Sequence, residues 1–203
     1  MLEQKTNSQT QTVSRRKNIS VEKEIGAFYT PLILANHIIN KLENIYKNQG
    51  KINSRSLKVL EPAVGDGVFL NSIKSSKWIS NSDITIIDID EKALENAKGV
   101  FGDDAIGKWS VNAHHSDFFD WEKKNLFRSY DLVIGNPPWG KKRINDSGYS
   151  ERALDFIFPC LELLNSKGCL AFVLPGIWLT GMNHESFRTK LFSLSREINI
   201  TRL

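Results

Sequence analysis

Leu57-Lys58-Val59-Leu60-Glu61-Pro62-Ala63-Val64-Gly65-Asp66-Gly67-Val68-Phe69 decides the fold. Its apolar run reads as a buried strand over 57–63 that ends on an acid and a proline. Two glycines make a tight turn, and a helix follows to about Lys77. The same unit then recurs downstream. Asp83–Asp90 (DITIIDID) predicts a second strand, and Glu91–Phe101 a helix with Ala93, Leu94, Ala97, Val100 and Phe101 on one face. Ser110–His115 predicts a weaker third strand before Asp117, and Tyr130–Gly135 a fourth that runs straight into Asn136. Arg152–Leu164 reads as a helix that Pro159 kinks or restarts. Gly168–Leu174 predicts a fifth strand, 183–193 a helix, and Ile198–Leu203 the start of another strand. Strands alternating with helices imply an α/β domain, a mostly parallel sheet covered on both faces.

Upstream, Thr30-Pro31 reads as a helix start, a capping hydroxyl followed by proline at the first helical position. Ala35, Ile38, Ile39, Leu42, Ile45 and Tyr46 keep helical spacing up to Gly50. Residues 1 to about 20 are polar, with Lys5, Arg15, Arg16 and Lys17 against Glu3 alone, and read as a disordered basic tail. Residues 21–203 then form one domain, which the length of 203 residues allows. The formal net charge of +4 is compatible with nucleic acid but does not argue for it. No apolar run is long enough to span a bilayer and no apolar signal core leads the chain, so the expectation is a cytoplasmic protein without a membrane partner. Cys160 and Cys169 sit in apolar stretches without metal-ligand spacing and read as reduced thiols. His114 and His115 are adjacent on a strand and point to opposite faces, so no metal is expected.

In an open parallel sheet, ligands bind beyond the carboxyl ends of the strands. Glu61, Asp88, Asp117 and Asn136 end or follow four strands and should share one crevice. Gly65 and Gly67 let backbone approach a ligand, but Leu70 stands where a dinucleotide fingerprint needs a third glycine. No Lys-Ser/Thr pair marks a phosphate loop. An acid before such a turn suits a cationic ligand such as the ammonium and sulfonium of S-adenosylmethionine; a plain strand–helix turn is the competing reading. Asp88 can accept two hydrogen bonds from ribose hydroxyls, with Ile89 against an adenine face. Asp90 reads more readily as a helix cap. Asp117 beside Phe118 fits recognition of an adenine amino group, and also fits a turn.

Asn136-Pro137-Pro138-Trp139 carries the sharpest chemistry. An exocyclic aromatic amine is a poor nucleophile because its lone pair is delocalised. Two acceptors, the Asn136 side-chain oxygen and the Pro137 carbonyl, can bind its two N–H groups and favour the pyramidal nitrogen of the transition state. Trp139 offers a face for stacking the base. Lys141, Lys142 and Arg143 follow directly and can neutralise phosphates beside a flipped base, or form a solvated loop.

Taken together, these motifs and their order resemble the gamma-type adenine-N6 DNA methyltransferases of bacterial restriction–modification systems, over about residues 24–203. The resemblance implies the Rossmann-like S-adenosylmethionine-dependent methyltransferase fold. It implies a role for Phe28, Tyr29 and Thr30 at the methionine end of the cofactor and for Glu61, Pro62, Ala63, Gly65 and Gly67 in the glycine turn. Asp88 with Ile89 falls at the ribose position, Asp117 with Phe118 at the adenine position, and Asn136, Pro137, Pro138 and Trp139 at the catalytic position. The implied reaction is methyl transfer to N6 of a flipped adenine in double-stranded DNA. The family commonly has Glu where this chain has Asp88. It also continues through further strands and a target-recognition domain, so the resemblance implies a truncated chain, completed by a recognition domain or subunit and working beside a cognate endonuclease. Protein-glutamine and rRNA methyltransferases share the Asn-Pro-Pro-aromatic turn, and a non-catalytic cofactor-binding fragment completed in trans is a further alternative.

Overall fold

The computed structural model describes residues 29–50, 56–76, 78–79, 81–102, 109–143 and 149–201, with the side chains of 141–143 and 149–151 outside the description. The expected tail over 1–20 and Phe28 lie outside the described residues. Five strands form one parallel sheet: β1 (Lys58–Glu61), β2 (Ser82–Asp88), β3 (Trp109–His115), β4 (Tyr130–Gly135) and, after a two-stranded ribbon of β5 (Lys141–Arg143) and β6 (Tyr149–Glu151), β7 (Leu164–Phe172). Their spatial order is β3-β2-β1-β4-β7. The chain winds outward from β1 in one direction and then restarts at β4 in the other. This is the doubly wound arrangement expected from the alternating pattern, and its switch point lies between β1 and β4.

Side chains alternate across the sheet as the strand period requires. Val59, Ile84, Ile86, Leu132 and Ile134 face one core, which α1 (Leu32–Asn48), α2 (Val68–Ser75) and α3 (Glu91–Gly99) close. Leu60, Ile87 and Val133 face the other, closed by α4 (Phe118–Lys123) and α6 (Ile157–Glu162). A third cluster joins α5 (Arg152–Asp155), α6, α7 (Ile177–Thr180) and α8 (Glu185–Leu194) through Leu154, Ile157, Trp178 and Leu191.

Asp131 ties the starts of β1, β4 and β7 to the last turn of α1. Its carboxylate accepts from the Lys58 N–H at 2.9 Å and from the Asn165 side-chain amide, and its carbonyl accepts from the Tyr46 hydroxyl at 2.6 Å. Burial, and then Cys169 and Asp131 nearby, hold the Tyr46 phenol above its ordinary range. The Tyr46 bond fixes the last turn of α1 beside the start of β4.

Several boundaries differ from expectation. Pro31, not Thr30, is the N-cap of α1; its extended backbone starts the helix one residue later, and the Thr30 hydroxyl makes no capping bond but is buried without a partner. The helix expected over 152–164 breaks at Phe156 into α5 and α6. Pro159 stands in the first turn of α6, where the missing N–H costs no helical bond. Residues 198–201 are not a strand; Lys41 Nζ instead donates to Thr201 Oγ1 at 2.6 Å, holding this segment to α1.

β7 starts before Gly168, with an irregularity where Tyr130 pairs Leu164 but Leu132 pairs Cys169. Gly168 makes this possible, because a Cβ there would lie 2.8 Å from Leu164 Cδ2 and 2.9 Å from the Tyr130 carbonyl. Gly168→Ala is expected to cost about 1–3 kcal/mol through this overpacking. Equilibrium urea denaturation would read it as a lower midpoint, and an unchanged midpoint would contradict the packing described.

Candidate active site

The first turn is shaped by its two glycines. Gly65 (φ 52°) and Gly67 (φ 71°) occupy the left-handed region, and Gly67 serves as N-cap of α2. A Cβ at Gly67 would also touch α3, 3.4 Å from Ala97 Cα. The turn is tied to the next strand by the Val64 N–H on the Ile87 carbonyl (3.1 Å) and the Gly65 N–H on Asp88 Oδ2 (2.8 Å). Asp88 Oδ1 accepts from the Asp90 N–H at 2.9 Å. One carboxylate thus braces both turns, and each of its oxygens keeps a second lone pair for a ligand hydroxyl.

Asp90 resolves as a helix cap, accepting from the Lys92 N–H at 2.9 Å. Ile89, held by its carbonyl to His115 Nε2 at 3.0 Å, leaves its side chain 61% exposed beside Asp88. Asp117 caps α4 through bonds from the Phe119 and Asp120 N–H groups to Oδ1. Phe118 differs from what a ligand contact requires. Its ring is buried and stacks on Phe156 with 5.1 Å between centroids, so only its backbone is available to a ligand.

Glu61 is the electrostatic centre. It is 1% exposed, and its Oε2 has no hydrogen-bond partner. Burial, and then the carboxylates of Asp66 and Asp88, push its carboxyl well above the usual range. Sequence reading missed the part of Asp66, which looked like a turn residue; the only signal was a second acid five residues after Glu61. A carboxyl crowded by two other acids favours a cationic occupant. The orphaned Glu61 oxygen supplies one acceptor for it, and the Thr30 hydroxyl, just before α1, is another buried oxygen without a partner. Tyr29, adjacent and 60% exposed, lies at the same end of α1.

The catalytic candidate stands beside this centre. A Cβ on Gly135 would lie 3.6 Å from Pro62 Cδ and 3.9 Å from Glu61 Cγ, so the end of β4 is packed directly against the end of β1. Pro62 and Pro137 are buried, and Ala63, Asn136, Pro138 and Trp139 are half-buried. The Trp139 indole N–H donates to Asn136 Oδ1 at 2.9 Å, a bond that the motif's spelling did not disclose. Gly140 (φ 113°) then turns the chain into the β5–β6 ribbon, closed at its base by the Arg152 N–H on the Gly140 carbonyl at 2.9 Å. Lys141, Lys142 and Arg143 form β5, paired with Glu151, Ser150 and Tyr149; their side chains lie outside the described part.

Other reactive groups stand apart from this centre. His114 packs on the Trp121 ring at 5.5 Å, and burial followed by Arg128 lowers its pKa. Neither cysteine is in a disulfide, and burial pushes the Cys160 thiol up. Among the described residues no cluster could hold a metal ion, and no helix is long and apolar enough to cross a membrane.

Comparison with known proteins gives the family and the fold. The family model of the Eco57I restriction-modification methylase matches residues 68–203. The Type II methyltransferase M.VspI of Vibrio sp. (strain 343) is 28% identical over 83% of this chain and 41% of its own length. A tRNA1(Val) (adenine(37)-N6)-methyltransferase of Vibrio campbellii is 30% identical over 58% of this chain and 51% of its own. A solved structure from Listeria monocytogenes, assigned to the class I S-adenosylmethionine-dependent methyltransferases, superposes with a TM-score of 0.59 at 18% identity, covering 82% of this chain and 53% of that one. The chain spans less than half the length of the curated restriction–modification relatives it matches. It belongs to the Eco57I restriction-modification methylase family and has the Rossmann-like fold of S-adenosylmethionine-dependent methyltransferases.

Proposed function

We propose that this member of the Eco57I methylase family carries the catalytic centre of an adenine-N6 DNA methyltransferase. It would transfer a methyl group from S-adenosylmethionine to a flipped-out adenine as part of a restriction–modification system. The observation that carries the reading is the placement of the Asn136-Pro137-Pro138-Trp139 turn. It leaves β4 at the switch point, packed against the end of β1 and the acid-lined glycine turn.

The residues present fit the cofactor. Glu61, Asp66 and Thr30 suit its cationic methionine end, Gly65 and Gly67 allow close backbone approach, and Asp88 with Ile89 suits the ribose and adenine. Asp117 stands beyond β3, next along the sheet, and can meet an adenine edge. When bound, the cofactor supplies an electrophilic methyl group on a sulfonium. Asn136 Oδ1 and the Pro137 carbonyl would accept the two hydrogens of the adenine amine, holding the nitrogen in line and favouring its pyramidal form. Trp139 would stack the base. No general base is required before attack, since the methylated ammonium is acidic enough to lose its proton afterwards.

Lys141, Lys142 and Arg143 follow the turn by one residue on a ribbon rooted at Gly140, which suits phosphates flanking an extruded base. A recognition domain or subunit and a cognate endonuclease would complete the system. Similarity to the tRNA adenine-N6 enzyme favours adenine as the base and makes RNA the alternative carrier.

Two measurements test the reading. Titration calorimetry should show one S-adenosylmethionine site per chain without DNA; absence of binding would remove the cofactor assignment. Labelled methyl transfer to DNA, tRNA, rRNA and protein, followed by nucleoside analysis, should give N6-methyladenine from DNA. Label in tRNA, rRNA or protein instead would overturn the substrate.

A further inference from the structure

We infer that Trp139 is a positioning residue, whose indole N–H fixes which end of the Asn136 amide faces the reacting amine. The inference rests on the adenine-amine reading above and deepens it. An asparagine side chain is asymmetric: one end accepts hydrogen bonds, the other only donates. Half a turn about its last bond exchanges them. An amine presenting two N–H groups needs the oxygen end, and the reversed amide would set donor against donor. A carboxylate in the same place would have no wrong end.

The Trp139 indole resolves the asymmetry. Its Nε1–H is a donor and nothing else, and it reaches Asn136 Oδ1 at 2.9 Å. Reversing the amide would lose this bond and put the indole N–H against the amide hydrogens. Oδ1 has two lone pairs, so the indole bond does not by itself exclude a second donor. The two residues between them are prolines, whose rings fix φ, and Pro137 is buried. The three-residue span is therefore stiff, and the indole edge is delivered to the amide by the backbone itself. Phenylalanine or tyrosine at 139 would keep a stacking face but would carry no ring N–H. The tryptophan thus serves two purposes: its face suits the base and its edge sets the amide.

The test uses Trp139→Phe and Asn136→Ala in the full chain, with S-adenosylmethionine affinity as the check on folding. In ¹⁵N-labelled protein, the Trp139 indole resonance is assigned by its loss in Trp139→Phe. It should exchange with solvent at least tenfold faster in Asn136→Ala than in the parent chain. With adenine-containing DNA, Trp139→Phe should lower kcat on the order of tenfold, the scale of one net hydrogen bond. KM for DNA and cofactor affinity should stay within about threefold, because the stacking face remains. Indole exchange that ignores Asn136, or a loss confined to KM, would overturn the inference. If the parent chain places no methyl on adenine, the functional reading fails, while the exchange measurement still decides the Asn136–Trp139 bond.

Discussion

Asn136→Ala is expected to lower methyl transfer by about 10²–10³-fold, the loss found when one preorganised hydrogen-bonding group is removed from a reacting centre. S-adenosylmethionine affinity should change by less than about threefold, because the substitution leaves Glu61, Asp88 and the glycine turn in place. The expectation follows from what Asn136 offers. Adenine N6 holds its lone pair in the ring π-system, and attack requires the nitrogen to become pyramidal. Oxygen acceptors placed for the pyramidal geometry bind the transition state better than the flat ground state, so their removal should fall on kcat more than on KM. Alanine also removes the partner of the Trp139 indole N–H, a bond made at 2.9 Å. Base stacking should therefore loosen slightly as well. Single-turnover methylation of the DNA substrate measures the chemical step directly. A variant that methylates adenine within a few-fold of the parent rate would remove Asn136 from the mechanism, whatever its position.

Much of this centre could be read before any coordinates, and the reason is period. The apolar runs at 57–63, 83–90 and 130–135 fix strands, and the helices between them fix a parallel order. A parallel sheet then places the strand-ending acids and Asn136 at one edge. Tyr130–Gly135 was expected to the residue. What local pattern cannot carry is how side chains settle their neighbours. Phe118 and Phe119 spell the same in a sequence, yet Phe118 stacks in the core on Phe156 and Phe119 is half-buried at its margin. Thr30 has the composition of a helix cap, but Pro31 takes the cap position and turns the hydroxyl into an orphan. β7 begins earlier than its apolar run, because pairing with Tyr130 recruits Leu164 across the polar Asn165-Ser166-Lys167. The Asn136–Trp139 bond lies within four residues and was still invisible, since adjacency says nothing about which way an indole edge points.

Glu61→Gln is expected to stabilise the fold at pH 8 while weakening S-adenosylmethionine binding by more than tenfold. The carboxyl is buried and crowded by Asp66 and Asp88, and its pKa lies well above the ordinary carboxylate value. In the unfolded chain the same group ionises near 4.3. Between those two values the folded state holds the proton and the unfolded state has lost it, so stability falls as pH rises through that window. It is lowest above the folded-state pKa. Glutamine is nearly the same shape and cannot ionise. It should thus match the parent near pH 4 and melt higher at pH 8, by about 1–3 kcal/mol for an unpaired buried polar or charged group. The cationic end of the cofactor acts in the opposite direction, since it favours the ionised carboxylate. In the parent chain, cofactor affinity should therefore rise with pH across the window, and binding below the folded-state pKa should release a proton. Calorimetry in buffers of different ionisation enthalpy would count that proton. In Glu61→Gln both the pH dependence and the release should vanish. A variant that melts lower at pH 8 and binds cofactor as tightly as the parent would show that Glu61 is a structural acid. As an electrostatic site, Glu61 should lower stability while the cleft is empty and recover it when a cation enters.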